Sequence, residues 1–417
     1  MLTKLKPKSE FSKNVLTLMT GTAIAQAIPI AISPILTRLY TPEDFGKLAL
    51  FISIVSVMGV FATGKYELAI ILPKKNSTAY QLVSLSFILS FLISVFYIVP
   101  LVGSSIVYSF DTIYYLLPIV SFFIALNSIF DRYNNRVKNY KLMSYQRLIK
   151  TTIESITSIA FITLFSIQTG LVWGFIFGYF ISSWTMLYIN FTSFKELKFK
   201  PSLSKIKVLS RRYINFPKYS MPHTFLNTLS ENIPIFLIPL YYGSHTLGLY
   251  AFGLKIVKAP LELLLAAMFN VLGQKMAEEY AKGNEIKSLF ISIVKKLITF
   301  AIFMIPLFIY IDDIFVFIFG QEWRVAGEYI QILSPCILVE FIVSPFATIP
   351  HIYNVQRKAF VLEIIYSLVR ISPFLIGAGY FDFTIQQVLM VYMISATLLL
   401  FYGYNWYYNL VKGKRQK

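Results

Sequence analysis

The sequence predicts an all-α, polytopic membrane protein with about 12 transmembrane helices, arranged as two six-helix bundles around a central cavity. Twelve apolar stretches, each bounded by charged residues, run through its 417 residues. Basic residues concentrate in alternate connections between these stretches, and two segments about half the chain apart are similar. A helix needs about 20 mostly apolar residues to cross a hydrocarbon core, so each stretch is long enough to span a membrane.

The first span is the clearest one, because residues 14–37 contain no ionisable side chain. Two uncharged stretches, residues 76–110 and 155–194, are too long for a single span. We divide the first at residues 101–111 and the second at residues 168–170. The complete set of predicted spans is 14–37, 45–72, 80–102, 112–130, 148–167, 171–192, 219–241, 247–273, 288–311, 325–350, 358–381 and 385–408.

The basic residues predict the orientation of the chain. Only Arg38, Lys47 and Arg324 lie in connections that follow odd-numbered spans, whereas most of the 38 Lys and Arg residues lie in the tails and the other connections. Lys and Arg remain on the cytoplasmic side, so both termini are predicted to be cytoplasmic. The net charge of +18 therefore reflects topology rather than nucleic-acid binding. The basic connection 131–150 is one such loop, and residues 193–218 lie against anionic lipid headgroups or form an ordinary positive-inside connection.

An internal repeat relates the two halves. Residues 39–49 resemble residues 241–251 at an offset of 202 residues, and each segment forms the outer turn between the first two helices of a six-helix half. The matched pairs include Tyr40 with Tyr242, Gly46 with Gly248, Ala49 with Ala251 and Ile54 with Ile256. Six helices per half make the repeat parallel. We expect an N-terminal lobe (residues 1–203) and a C-terminal lobe (residues 204–417), with substrate between them and alternating access.

The sequence contains no pattern typical of an enzyme. His223, His245 and His351 lack the spacing of a metal site, and there is no Gly-rich phosphate loop or nucleophile elbow. The single cysteine, Cys336, excludes a disulfide framework and a thiolate metal site. Short outer connections argue against a membrane polysaccharide polymerase or ligase. We expect no catalytic residue, no metal and no cofactor.

Ionisable residues inside the predicted spans are candidates for function, because a charge at the bilayer centre costs roughly 2.5–3.5 kcal/mol. Lys255, Lys258 and Glu262 lie on one face of the eighth span. Glu231 in the seventh span and Arg370 in the eleventh reach a similar depth. Such residues usually line a polar cavity. The alternative is a set of internal salt bridges, Glu231 with Lys255 and Lys258 with Glu262.

Residues 35–46, Ile-Leu-Thr-Arg-Leu-Tyr-Thr-Pro-Glu-Asp-Phe-Gly, resemble the amino-terminal signature of the polysaccharide transporters. These are the O-antigen and capsule repeat-unit flippases of the multidrug/oligosaccharidyl-lipid/polysaccharide exporter superfamily. Residues 242–251 resemble the matching element of their second half. The resemblance implies movement of an undecaprenyl-diphosphate-linked oligosaccharide from the cytoplasmic to the periplasmic leaflet of the bacterial inner membrane, driven by an ion gradient. It leaves open whether a polysaccharide polymerase is a partner, alongside the membrane lipids.

A diphosphate needs cationic donors. We expect four basic residues of the spans to bind it, with the first in the inner half of the second span: Lys65, Lys255, Lys258 and Arg370. The runner-up function is a cation-coupled drug or metabolite exporter. Drug-exporting relatives often carry an acidic residue in the first helix, whereas the most polar residue of this first span is Gln26. That difference favours the flippase.

Three carboxyl groups are candidates for coupling transport to a proton or a sodium ion: Glu231, Glu340 and Glu363. A carboxyl group in a membrane cavity exchanges a proton when its surroundings change. Glu231 lies level with the two lysines of the eighth span, and Glu340 lies deep in the tenth span. Each is alternatively a fixed counter-ion, above all Glu363, which precedes Arg370 by seven residues. Our first choices are Glu231 and Glu340.

Overall fold

The computed structural model describes residues 10–105, 111–196, 200–282, 286–353 and 355–413. These residues form α-helices joined by turns and short 3-10 or π segments, with no β-strand among them, so the predicted all-α class is confirmed. The α-helices are α1 (Glu10–Leu39), α2 (Pro42–Ala62), α3 (Asn76–Phe96), α4 (Ile98–Ser105), α5 (Leu117–Arg136), α6 (Tyr140–Phe165), α7 (Gly170–Glu196), α8 (Leu203–Arg212), α9 (Met221–Ala281), α10 (Lys287–Ile309), α11 (Ile311–Phe319), α12 (Arg324–Val343), α13 (Ile349–Ile352), α14 (Gln356–Ser372) and α15 (Ile385–Lys412).

Ten described helical stretches are long and apolar enough to cross a membrane, from Thr17–Leu39 to Ile385–Lys412. The long helix α9 is not one of these ten. Gly243 interrupts α9 with φ of 82° and ψ of 165°, a conformation that only glycine adopts readily. Its two parts correspond to the predicted seventh and eighth spans. The described residues therefore contain ten candidate spans, and the predicted count of twelve requires both parts of α9 to cross as well.

The predicted second span, residues 45–72, is longer than the helix that the chain forms. Helix α2 ends at Ala62, and Gly64 and Lys65 follow with positive φ angles of 59° and 60°. Left-handed residues cannot continue a right-handed helix, so the chain turns into the 3-10 segment Tyr66–Ile71. Lys65 consequently lies beyond the end of α2, and the predicted continuation of the span as one helix to residue 72 is wrong.

The connection predicted at residues 131–150 is also mostly helical. Only residues 137–139 separate α5 from α6. The side chain of Asn139 caps α6 by accepting a hydrogen bond from the backbone N–H of Leu142 at 3.3 Å. The prediction failed because Arg147 and Lys150 are charged and lower the hydropathy of the first part of α6. Both residues are therefore held in a helix that is long enough to span a membrane.

The chain divides into two compact units. Unit 1 comprises Met1–Tyr40 and Lys47–Asn232, and unit 2 comprises Thr41–Gly46 and Ile233–Lys417. In unit 1, a buried apolar cluster joins α3, α5, α7 and α8 with the 3-10 segment Tyr66–Ile71, and Leu82, Ile129 and Met186 are fully buried in it. The lobe boundary predicted after residue 203 stays a prediction.

The two repeat segments pack closely against each other in unit 2. A Cβ added to Gly46 would lie 2.1 Å from the carbonyl oxygen of Ser244, and one added to Gly248 would lie 1.6 Å from the carbonyl oxygen of Pro42. Pro42 and Ser244 occupy equivalent positions of the repeat, so the two close approaches are related in the same way. Such an approach of two helix backbones requires small residues at both positions.

The matched tyrosines of the repeat also make equivalent hydrogen bonds. The hydroxyl of Tyr40 donates to the carbonyl of Ser158 at 2.6 Å, in unit 1. The hydroxyl of Tyr242 donates to the carbonyl of Phe383 at 2.6 Å, in unit 2. Each tyrosine thus ties the turn after the first helix of its half to a backbone carbonyl of the fifth predicted span or just beyond it, since Ser158 lies within α6 and Phe383 follows the π segment Pro373–Ala378. The similarity between the two sequence segments therefore corresponds to shared backbone contacts.

Candidate substrate and coupling sites

An ion pair between α9 and α12 is the centre of the candidate site in unit 2. Lys258 Nζ donates a hydrogen bond to Glu340 Oε2 at 3.0 Å, and the two side chains are 35% and 32% exposed. Lys258 lies in the second part of α9, and Glu340 lies one turn after Cys336 on α12. Lys258 therefore forms an internal salt bridge with Glu340, a partner that the sequence analysis did not suggest.

Arg370 lies beside this pair near the end of α14. Its guanidinium carbon is 4.3 Å from the centroid of the Tyr366 ring, which is one turn earlier on the same helix. Glu340, Tyr366 and Tyr392 are the groups that act on Arg370 electrostatically. Within the described part of the chain, the buried Nε of Arg370 has no hydrogen-bond partner. The cluster thus contains two cations and one carboxylate, and it retains an unused donor.

The other predicted site residues are not joined to this cluster by an ion pair among the described residues. Lys255 and Glu363 are exposed residues of unit 2. Glu231 is an exposed residue of unit 1. Lys65 Nζ, also in unit 1, lies 3.8 Å from Glu67 Oε1, and this glutamate accepts a short hydrogen bond from Thr63. The structure therefore brings together Lys258, Glu340 and Arg370 from the predicted set.

Unit 1 contains a polar cluster that the sequence analysis missed. Arg147 Nη2 on α6 lies 3.5 Å from Asp131 Oδ1 on α5, and Arg147 also donates a short hydrogen bond to the hydroxyl of Thr22 on α1. One helical position earlier, Gln146 donates a short hydrogen bond to Asn127 on α5. These contacts join α1, α5 and α6 through polar side chains. In the sequence, the start of α6 was indicated by Asn139, because a helix-capping residue there precedes an amphipathic pattern.

Lys150 extends this cluster along α6 toward α7. Its Nζ lies 4.1 Å from the centroid of the Tyr179 ring and 5.7 Å from that of Phe175. Aromatic faces stabilise an ammonium group without neutralising its charge. Glu154, one turn further along α6, is the carboxylate that acts on Lys150 electrostatically. Lys150 in unit 1 and Arg370 in unit 2 are thus both cations that are held against tyrosine rings.

The described residues contain no group of three or more His, Cys, Asp or Glu side chains that could hold a metal ion. What the two clusters offer is ammonium and guanidinium donors inside helices, with fewer carboxylates than cations in the cluster of Lys258, Glu340 and Arg370. Donors of this kind form strong, charge-assisted hydrogen bonds with phosphate oxygens. The cluster of Lys258, Glu340 and Arg370 is therefore suited to an anionic ligand, and the carboxylate of Glu340 is paired with one of its two cations, Lys258.

The fold defines the class of this protein. It is similar to a multidrug resistance MATE family transporter of the MOP superfamily in an inward-facing conformation, with a TM-score of 0.67, 14% identity, and coverage of 93% of this chain and 94% of that chain. It is also similar to the lipid II flippase MurJ in an inward closed conformation, with a TM-score of 0.68, 14% identity, and coverage of 94% and 87%. The chain is a multi-pass membrane protein with a transporter fold.

The family follows from the sequence. The family described as polysaccharide biosynthesis protein matches residues 35–328, and the chain belongs to it. The succinoglycan biosynthesis transport protein ExoT of Rhizobium meliloti (strain 1021) is 22% identical over 386 residues, which cover 89% of this chain and 75% of that protein. The predicted resemblance to polysaccharide transporters is confirmed. The relatives are transporters and flippases, and the expected lack of catalysis stays a prediction.

Proposed function

We propose that the protein is a flippase that moves undecaprenyl-diphosphate-linked oligosaccharide repeat units, of the O-antigen or capsule type, from the cytoplasmic to the periplasmic leaflet of a bacterial inner membrane. Membership of the polysaccharide biosynthesis family supports the glycan part of this proposal. The proposed orientation has both termini in the cytoplasm, in agreement with the distribution of Lys and Arg. Transport proceeds by alternating access and depends on an ion gradient.

The observation that carries the proposal is the unused donor of Arg370, which lies beside Lys258 in a helix that spans the membrane. A buried guanidinium N–H without an acceptor, as at Nε of Arg370, is costly unless a ligand satisfies it, and a phosphate oxygen is a suitable acceptor. Lys150 supplies a further ammonium group in unit 1. A cationic drug would be repelled by these residues. Lys65 and Lys255 stay proposed contacts of the diphosphate.

The Lys258–Glu340 pair suggests how an ion gradient is coupled to transport. The carboxylate of Glu340 holds the ammonium of Lys258 at 3.0 Å, so this cation is not free to bind an anion. A proton or sodium ion that binds Glu340 removes this attraction and releases Lys258 toward the diphosphate. Glu340 is therefore our first candidate for the coupling residue, ahead of Glu231 and Glu363.

The test uses a bacterial strain in which this chain is the flippase for its surface polysaccharide. Loss of the protein is expected to leave completed repeat units on the lipid carrier facing the cytoplasm, without altering sensitivity to cationic dyes. Arg370→Gln should reduce surface glycan at unchanged protein level, whereas Arg370→Lys should retain part of it because charge is the operative property. Lys295→Ala is the matched control, since Lys295 is an exposed cation of α10 outside both clusters.

Altered dye efflux with intact surface polysaccharide would overturn the proposal and assign the protein to the drug exporters. Normal glycan in the Arg370→Gln variant, at wild-type protein level, would remove this residue from the substrate site. Equal losses in Arg370→Gln and Lys295→Ala would mean that the assay reports a general effect of removing a cation from a spanning helix.

A further inference from the structure

Unit 1 contains an apolar groove between α3, α5 and α7, and its lining includes none of the residues proposed above for substrate binding or coupling. It has a volume of about 490 Å³, within the range of small-molecule sites. Phe87 of α3, Phe130 of α5 and Leu187 of α7 line it, and Ser84 is one of its few polar residues. On α7, Trp184 is 63% exposed and opens the groove to the surroundings of the unit. The helices that line the groove are long and apolar enough to span a membrane, and an apolar opening on such helices is suited to lipid chains.

Pro201, which lies within the basic stretch 193–218 between the two halves, lines the groove. Gln81 of α3 holds residues 200–202 in place: its Nε2 donates to the carbonyl of Lys200 at 2.9 Å, and its Oε1 accepts from the N–H of Ser202 at 2.9 Å. Helix α8 follows directly, and its Ile206 is buried in the same apolar cluster as residues that line the groove. The groove and α8 therefore form one continuous surface.

Helix α8 is a short amphipathic helix with a strongly basic outer face. Ile206 and Leu209 are buried, whereas four cations of α8 are exposed: Lys205, Lys207, Arg211 and Arg212. Leu203 is also exposed, at 78%. The sequence has no acidic residue between Glu196 and Glu231. Exposed apolar residues among cations are typical of a helix that lies in the headgroup region of a membrane with anionic lipids.

We propose that this surface is a binding site for an anionic phospholipid, with one acyl chain in the groove and the phosphate against Lys200 and the cations of α8. The site is distinct from the proposed substrate cluster and does not depend on it. Charge complementarity selects the anionic headgroup, and the bulky aromatic lining selects a flexible chain. A transmembrane helix of a partner protein fits less well, because close helix packing uses small residues and this groove is lined by Phe, Tyr and Trp.

The test is native mass spectrometry of the purified full chain in detergent with equimolar phosphatidylglycerol and phosphatidylcholine. The wild type should retain phosphatidylglycerol several-fold over phosphatidylcholine. Ser84→Trp fills the groove and should lose most bound phosphatidylglycerol. Thr163→Trp is the matched control, because Thr163 is exposed on α6 and its hydroxyl donates to a carbonyl of its own helix at 2.8 Å, as that of Ser84 does at 3.1 Å.

A second variant, Lys205→Gln with Lys207→Gln, changes exposed side chains alone and leaves the core of unit 1 intact. It should prefer phosphatidylglycerol clearly less than the wild type does, because the groove remains while two of the five cations at the headgroup are lost. Equal retention of both lipids by the wild type would overturn the proposal. Unchanged selectivity in the double glutamine variant, or equal phosphatidylglycerol retention by the two tryptophan variants, would overturn it as well.

Discussion

Replacing Lys258 with Met leaves Glu340 among helices without its cation, and replacing Glu340 with Met leaves Lys258 without its anion. Removing one partner of a fully buried ion pair costs about 3–5 kcal/mol, whereas an exposed pair contributes about 0–1 kcal/mol. Both side chains are about one-third exposed and lie 3.0 Å apart. We therefore expect each single variant to lose about 2 kcal/mol of unfolding free energy.

The double variant, Lys258→Met with Glu340→Met, should regain most of this loss because neither charge is left unpaired. With a residual loss of about 1 kcal/mol in the double variant, the coupling energy of the cycle is about 3 kcal/mol, or more than about 100-fold in the unfolding equilibrium. It is measured by denaturant unfolding of the four purified proteins in one detergent. Surface polysaccharide is measured in parallel, and it should stay absent in the stable double variant because the diphosphate has lost a donor.

Two results would refute this reasoning. A coupling energy near zero would show that the pair makes no energetic contribution in the folded protein. Normal polysaccharide in the double variant would reduce Lys258 and Glu340 to counter-ions that hold two helices together.

In proteoliposomes, Glu340→Gln should translocate lipid-linked oligosaccharide at a rate that no longer responds to proton or sodium gradients. Gradient-independent rates in the wild type would instead leave a passive flippase.

Three further predictions concern packing, unit 1 and topology. Gly248→Ala should lower the free energy of unfolding by about 1–3 kcal/mol through overpacking. Gly403→Ala, with open space at its Cβ, should be neutral or stabilising in thermal unfolding. Equal effects of the two substitutions would contradict the close backbone approach at Gly248. Lys150→Ala should reduce the rate of oligosaccharide translocation at least about tenfold, which is the effect of losing one charge-assisted hydrogen bond. Lys150→Arg should restore part of this rate. A wild-type rate in Lys150→Ala would exclude Lys150 as a substrate contact. A cysteine replacing Asp382 should react with an impermeant thiol reagent in intact cells, and one replacing Asn139 should not; labelling at Asn139 would reverse the proposed topology.

The sequence by itself determined the class of protein, because the requirements of a membrane act over long stretches of residues. Lengths of apolar sequence predicted the helices, and ten of the described helical stretches are long and apolar enough to cross a membrane. The repeat at an offset of 202 residues could also be recognised in the sequence. Gly46 and Gly248 each lie against the opposite backbone, and this shared steric constraint requires glycine at both positions. The motif around Tyr40 was sufficient to predict the family that residues 35–328 match.

Only the tertiary structure decided which charges meet. Lys258 and Glu340 are 82 residues apart, and helical periodicity relates residues within one helix, so the sequence suggested Glu262 as the nearer partner. Hydropathy also placed Arg147 in a loop. A hydropathy value depends only on the residue type, so it does not register whether a charged side chain is paired in the folded protein. In the folded chain, Asp131 lies 3.5 Å from Arg147, and this pairing lets a charged residue lie within a helix that is otherwise apolar enough to span a membrane.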